Sequence, residues 1–131
     1  MYKISVEDTF SAAHFLRNYK GKCERLHGHN WRVTLKIAGD ALIPGQDMLI
    51  DFSEAKKYLS RALADLDHRN LNEVPPFDRI NPSAENIARY VFEKISSRLK
   101  KSAARRNNIR VESVSVREND KTEAEYIAGE K

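Results

Sequence analysis

The chain has 131 residues, 40% of them hydrophobic and 32% charged, which is enough apolar material for one core and one domain over 1–131 and too much for a disordered polar chain. Its single cysteine excludes an intrachain disulfide framework; with no long apolar run and no charged-then-apolar leader, the expectation is a cytoplasmic chain with no membrane segment. The net charge of +4 suits nucleic acid and a small polyphosphate equally well, so charge alone excludes neither.

Tyr2, Ile4, Val6, Phe10 and Ala12 share one parity, broken only by Asp8, and His14 closes the run on that parity. This predicts a half-buried strand. His27, His29, Trp31, Val33, Leu35 and Ile37 alternate with Gly28, Asn30, Arg32, Thr34 and Lys36 and predict a second. Ser53 is the predicted N-cap of a helix running to Leu66, with Ala55, Tyr58/Leu59, Ala62/Leu63 and Leu66 as its apolar stripe and Asp67-His68 at its C-terminal end. Val74-Pro75-Pro76 through Asn81-Pro82 is too proline-punctuated for regular structure. Ser83 caps a second helix with the stripe Ile87/Ala88, Val91, Ile95 and Leu99, ending at Lys100-Lys101, where cations suit the helix dipole. Ser102 to Asn108 reads as a basic loop.

Ile109 and Val111 lie on one parity and Val114, Val116 and Glu118 on the other, so a bulge is expected near Glu112-Ser113. Glu118 then ends a strand on its apolar face. Thr122 to Gly129 supplies the last strand. The expected fold is α+β in the order β-β-α-α-β-β: a four-stranded antiparallel sheet with two helices on one face. Its two bare edges are most cheaply hidden by oligomerisation.

The densest chemistry is Cys23-Glu24-Arg25-Leu26-His27-Gly28-His29. Side chains at i and i+2 of a strand share a face, so His27 and His29 can converge on one ion, with Gly28 leaving room. If the first two strands pair as an antiparallel hairpin, His14 joins them. Three imidazoles with no fourth protein ligand is the count of a catalytic zinc site, whereas a structural zinc is closed by four. A His-x-His alone is more often ordinary strand sequence; His14 on the matching parity and Cys23 nearby bring the metal reading level with it. Taken singly, Cys23 reads as a small core filler, Asp67-His68 as helix-end polarity and Glu118 as a solvated strand end. Lys100 to Arg110 carries no interleaved aromatics, so a solvated loop is a better reading than a nucleic-acid contact, although a basic metal-binding, nucleic-acid-associated protein is the rival class.

Six segments in order carry a resemblance that spans nearly the whole chain: Phe10-Ser11-Ala12-Ala13-His14, Cys23-x3-His27-Gly28-His29, Ile50-Asp51-Phe52, Leu66-Asp67-His68 with Leu71-Asn72, Asn81-Pro82-Ser83-Ala84-Glu85-Asn86, and Val116-Arg117-Glu118. The chain resembles the 6-pyruvoyl-tetrahydropterin synthase and 6-carboxy-tetrahydropterin synthase family. That resemblance implies the tunnelling fold (T-fold), in which three such sheets join edge to edge into a barrel and two trimers stack into a homohexamer, with active sites between subunits.

The resemblance also implies roles. His14, His27 and His29 match the zinc ligands, and the metal grips the hydroxylated side chain of 7,8-dihydroneopterin triphosphate. Cys23 matches the proton-transferring thiol, and Asp67 and His68 the dyad that partners it. Glu118 matches the glutamate that anchors the pterin, and Ser83 and Ala84 lie where relatives line the ring pocket, often with threonine at the first position. The triphosphate calls for basic residues, with Arg17, Lys20, Lys22 and Arg25 as candidates. The three-residue spacing between Cys23 and His27 follows the bacterial 6-carboxy-tetrahydropterin synthases, which release acetaldehyde and triphosphate and feed queuosine synthesis; relatives making 6-pyruvoyl-tetrahydropterin usually have a longer spacing. Glu24 resembles the glutamate of a folate-making branch that yields 6-hydroxymethyl-dihydropterin, so dual or folate-branch activity is one alternative, unless Glu24 is simply an exposed loop charge, and a 6-pyruvoyl-tetrahydropterin synthase is another.

Overall fold

The computed structural model describes residues 1–102 and 108–129. Its elements are β1 (Tyr2–His14), β2 (His27–Gly39), α1 (Phe52–Ala64), β3 (Arg69–Asn70), α2 (Ala84–Lys100), β4 (Arg110–Asn119) and β5 (Thr122–Ile127). The sheet has five strands in the order β3-β1-β2-β4-β5, one more than the expected four. The extra strand is β3, whose two residues pair in parallel with Ala12 and Ala13 of β1. Two residues are too short to leave a periodic trace in sequence.

β1 and β2 form the expected hairpin, with His14 opposite His27, Ala12 opposite His29 and Phe10 opposite Trp31. Directly opposed residues share a face, so one register places all three imidazoles on the core side. Where β2 meets β4, Lys36 pairs with Ser113 and Ile37 with Val111. Glu112 is skipped, which is the bulge expected there. The extra residue switches parity, so that Val111 before it and Val114 and Val116 after it all face the core.

Both helices lie over that face, α1 against β1 and α2 against β4 and β5. Their stripes, Ala55, Leu59, Ala62 and Leu63 on α1 and Ile87, Ala88, Val91, Ile95 and Leu99 on α2, pack with Val33, Leu35, Ile37 and Val114 into one core. Ser83 caps α2, accepting from the Asn86 amide. The cap of α1 is Asp51 rather than Ser53: the Asp51 carboxylate accepts from both the amide and the hydroxyl of Ser53, the second residue of the helix. Aspartate is at least as good a cap as serine, and the anion adds a favourable dipole interaction. The last strand stops at Ile127, and most of the expected basic loop, residues 103–107, lies outside the described residues. No helix among the described residues is long and apolar enough to cross a membrane.

Candidate metal centre

Side-chain nitrogens of His14, His27 and His29 lie within 4.8 Å of one another. Two of the rings are fixed by hydrogen bonds. His14 is buried at the end of β1, and its Nδ1 donates to the Pro82 carbonyl at 2.7 Å. The Nδ1 of His27 donates to the Arg25 carbonyl at 2.6 Å. A carbonyl only accepts, so both rings carry the proton on Nδ1 and present a lone pair on Nε2. Trp31 forms the floor, edge to face with His14 and His29, and its own indole N–H is satisfied by the Ala12 carbonyl.

The Nε2 atoms of His14 and His29 are buried without any hydrogen-bond partner. Burial pushes the pKa of both rings below 6.5, against the opposing pull of Glu118 and, for His14, of the Pro82 carbonyl. Convergent imidazole nitrogens, two of them buried without a partner, are a donor set for a divalent ion, so these three residues can hold one. Nothing within this chain requires the missing side chain of Gly28: a Cβ there would stand 3.9 Å from the Ala12 carbonyl, an ordinary contact.

Glu118 reaches the same place from β4. One step past the Arg32–Arg117 pair it falls abreast of Trp31 and diagonal to His29. Its carboxylate oxygens stand 3.7 Å from His29 Nε2 and 4.0 Å from His14 Nε2.

The remaining candidates are arranged differently. Cys23 is half-buried in a 3-10 turn, Lys22–Glu24, between the two histidine strands, with its carbonyl accepting from the Leu16 amide. Glu24 on the same turn is exposed, as is Leu26. Asp67 and His68 are latched to the outer side of β1: the Ser11 amide donates to Asp67, and the His68 amide donates to the Ser11 carbonyl at 2.6 Å. His68 Nδ1 lies 2.9 Å from the Asp67 carboxylate. The Ser11 amide, and then the His68 ring, hold the Asp67 carboxyl below its ordinary range. His68 is exposed and has a left-handed backbone, φ 59. Among the described residues no hydrogen bond joins the dyad to Cys23. The Ser83 hydroxyl is committed to capping, while Ala84 packs against the core.

The family model for 6-pyruvoyl tetrahydropterin synthase matches residues 3–128. The chain belongs to that family. A 6-carboxy-5,6,7,8-tetrahydropterin synthase of Haemophilus influenzae is 35% identical over 101 residues, covering 75% of this chain and 67% of that protein. A dihydroneopterin monophosphate aldolase of Pyrococcus furiosus is 32% identical over 97 residues, 74% of this chain and 77% of that protein. The structure of the Caenorhabditis elegans 6-pyruvoyl tetrahydropterin synthase superposes with a TM-score of 0.80 at 29% identity, over 98% of this chain and 96% of that one. This member of the synthase family has the tunnelling fold.

What the sequence did not show is how this synthase-family chain braces its histidines. Asn72 grips Phe15 with both ends of its amide, its oxygen accepting from the Phe15 amide and its nitrogen donating to the Phe15 carbonyl; Asn81 does the same to Arg17. Asn86 in turn donates to the Asn81 carbonyl. These clips lay the Pro82 carbonyl against His14. Their trace in the sequence is the asparagines of the fourth and fifth matching segments.

Arg17, one of the phosphate candidates, is turned toward backbone carbonyls. Its guanidinium donates to the carbonyls of Ile80 at 3.1 Å, Phe77 at 2.9 Å and Asn72 at 3.4 Å. An Arg17→Lys protein is therefore expected to lose about 1–2 kcal/mol of stability, because an ammonium cannot span three carbonyls. Urea midpoints and steady-state kinetics test this together. A raised KM for a triphosphate-bearing substrate with unchanged stability would assign Arg17 to phosphate binding.

Burial of the triad also sets a pH dependence for the metal-free protein. Below about 6.5 the unfolded chain takes up protons on its histidines before buried His14 and His29 do. Their contribution to stability is complete above that pH and is lost as pH falls through it toward the lower folded values. The urea midpoint of the chelator-treated protein should drop between about pH 7.5 and 5.5, and should drop less in a His29→Gln variant. Equal drops would show that His29 is not desolvated.

Proposed function

We propose that this chain is a 6-carboxy-5,6,7,8-tetrahydropterin synthase, converting 7,8-dihydroneopterin triphosphate to 6-carboxytetrahydropterin with release of acetaldehyde and triphosphate, in queuosine and 7-deazaguanine biosynthesis. The observation that carries this reading is the convergence of three imidazoles, two of them with buried, partnerless Nε2 atoms. The short Cys23-x3-His27 spacing and the Haemophilus influenzae relative favour the carboxy-pterin product.

In this reading His14, His27 and His29 hold Zn2+, which supplies Lewis acidity to the hydroxylated side chain of the substrate and so favours proton loss there. Glu118 accepts the paired N–H groups of the pterin edge with its two oxygens and fixes the ring's orientation. Ser83 and Ala84 line the approach to the ring. Cys23, as thiolate, takes a proton from the substrate side chain. Asp67 keeps the proton of His68 on Nδ1, so that His68 Nε2 is left to exchange protons with the thiol, the substrate hydroxyl and solvent. The dyad is tied to the outer edge of β1 and not to its own Cys23, which fits a site completed by a neighbouring subunit. The bare edges at β3 and β5 supply the surfaces for a cytoplasmic homohexamer of two stacked trimers.

A second reading rests on Glu24, exposed next to Cys23, and on the Pyrococcus furiosus relative named as an aldolase. In it the chain also yields 6-hydroxymethyl-dihydropterin. Incubation of the zinc-loaded protein with dihydroneopterin triphosphate, with mass analysis of the pterin and an acetaldehyde assay, separates the two. 6-Carboxytetrahydropterin with acetaldehyde supports the first reading. A hydroxymethyl-pterin replaces it, and no turnover with full zinc loading refutes both.

A further inference from the structure

We propose that the Glu118 carboxylate is a fourth, exchangeable ligand of the metal held by His14, His27 and His29, bound while substrate is absent and released when a pterin ring claims the same oxygens. The release half rests on the pterin reading above; the ligand half does not.

Lone-pair directions make the argument. With the Nδ1 protons of His14 and His27 given to the Pro82 and Arg25 carbonyls, the Nε2 atoms of those rings have no proton to donate. Glu118 nevertheless brings its oxygens to 4.0 Å from His14 Nε2 and 3.7 Å from His29 Nε2. These separations are too long for hydrogen bonds, and at His14 a carboxylate facing the ring lone pair is repelled rather than held. A divalent ion among them would make the arrangement favourable. Ligands at about 2.0–2.1 Å around a tetrahedral ion lie roughly 3.3–3.4 Å apart, so an oxygen of Glu118 joins the set as the imidazole nitrogens, within 4.8 Å of one another, draw together around the ion.

Charge points the same way. Three neutral imidazoles leave both charges of a divalent ion uncompensated in a site floored by Trp31, where His14 is 1% exposed. One carboxylate halves that excess. Among the described residues Glu118 has no lysine or arginine partner, and the two imidazoles are its only ion-pair contacts. The parity switch at the Glu112 bulge is what brings it there. Without that extra residue, position 118 would face the opposite side of the sheet.

Exchange follows from geometry. The 2-amino-3-NH edge of a pterin lies across the ring from its hydroxylated side chain, so a carboxylate accepting at that edge cannot also sit at the metal that holds the side chain, and ring binding opens a coordination position when a substrate side chain is present to use it. The substrate-free centre is meanwhile closed to adventitious ligands.

Zinc affinity by chelator competition and the visible absorption of the cobalt-substituted protein test the ligand half, on wild type, Glu118→Gln and Glu118→Asp. Both substitutions should weaken zinc binding by about 10–100-fold and alter the cobalt bands, since glutamine lacks the charge and aspartate lacks the reach. Wild-type affinity and spectrum in either variant would overturn ligation. The site of Glu118 is partly open, and metal-free urea midpoints verify that both variants fold. Neopterin, which lacks the triphosphate, then probes exchange in the wild type. Binding seen by calorimetry together with a change in the cobalt bands supports release. Binding with unchanged bands overturns it. No binding refutes the pterin reading and the release step together, but leaves ligation standing on the affinity data.

Discussion

A His29→Ala protein is expected to be purified without stoichiometric metal and to turn over dihydroneopterin triphosphate at least about a thousandfold more slowly, because a Lewis acid at a catalytic site is worth several kcal/mol of barrier. Its fold should survive. The His29 side chain is 20% exposed and its Nε2 makes no protein hydrogen bond, so removal leaves no protein group stranded. His14→Ala separates the two effects. His14 is 1% exposed and satisfies the buried Pro82 carbonyl, so its loss should remove the metal and also about 2–4 kcal/mol of stability through an orphaned acceptor and a cavity. Elemental analysis, kcat/KM and urea midpoints on the two variants make the comparison. A His29→Ala protein with full metal content would show that the triad is not the metal centre.

The legible and illegible parts of this site differ in a physical way. Alternation exposed the imidazole cluster, since strand parity fixes the face and hairpin pairing fixes the meeting point; His14, His27 and His29 follow from these two rules. Asp8, the break in the parity, is also explained. Away from Ala12 and Ala13, β1 has no strand outside it, so Asp8 can turn to solvent and accept from the Thr9 amide. The bulge at Glu112 was readable because apolar residues changed parity across it. The groups that orient the rings were not readable, because Pro82 and Arg25 act through backbone carbonyls, which every residue possesses. Arg17 counts as one more positive charge in the sequence, and only the path of residues 72–82 around it shows that its donors are committed to carbonyls. The capping residue of α1 was missed for a related reason: Asp51 and Ser53 are both good caps two positions apart, and the apolar stripe tolerates either start.

If Cys23 moves the proton, Cys23→Ala should lower turnover by about 10²–10⁴ while leaving the zinc content unchanged, the reverse of the His29→Ala signature. The substitution is mild structurally. Cys23 is half-buried, its carbonyl bond to the Leu16 amide is backbone only, and alanine fits a 3-10 turn. His68 supplies a second handle. It sits at φ 59, where asparagine is among the better-tolerated replacements, so His68→Asn keeps the turn and removes the relay. Thiol and imidazole acting as one unit predict non-additivity, with the double variant little slower than the worse single one. Independent roles predict multiplied losses. The substrate-dependent exchange of side-chain protons with deuterated water, followed by mass, isolates the proton step from the carbon–carbon cleavage of the proposed reaction: it should vanish in Cys23→Ala even where slow background turnover persists. Full activity or undiminished exchange in that variant would remove the thiol from the mechanism and leave the metal centre and Glu118 to account for the chemistry.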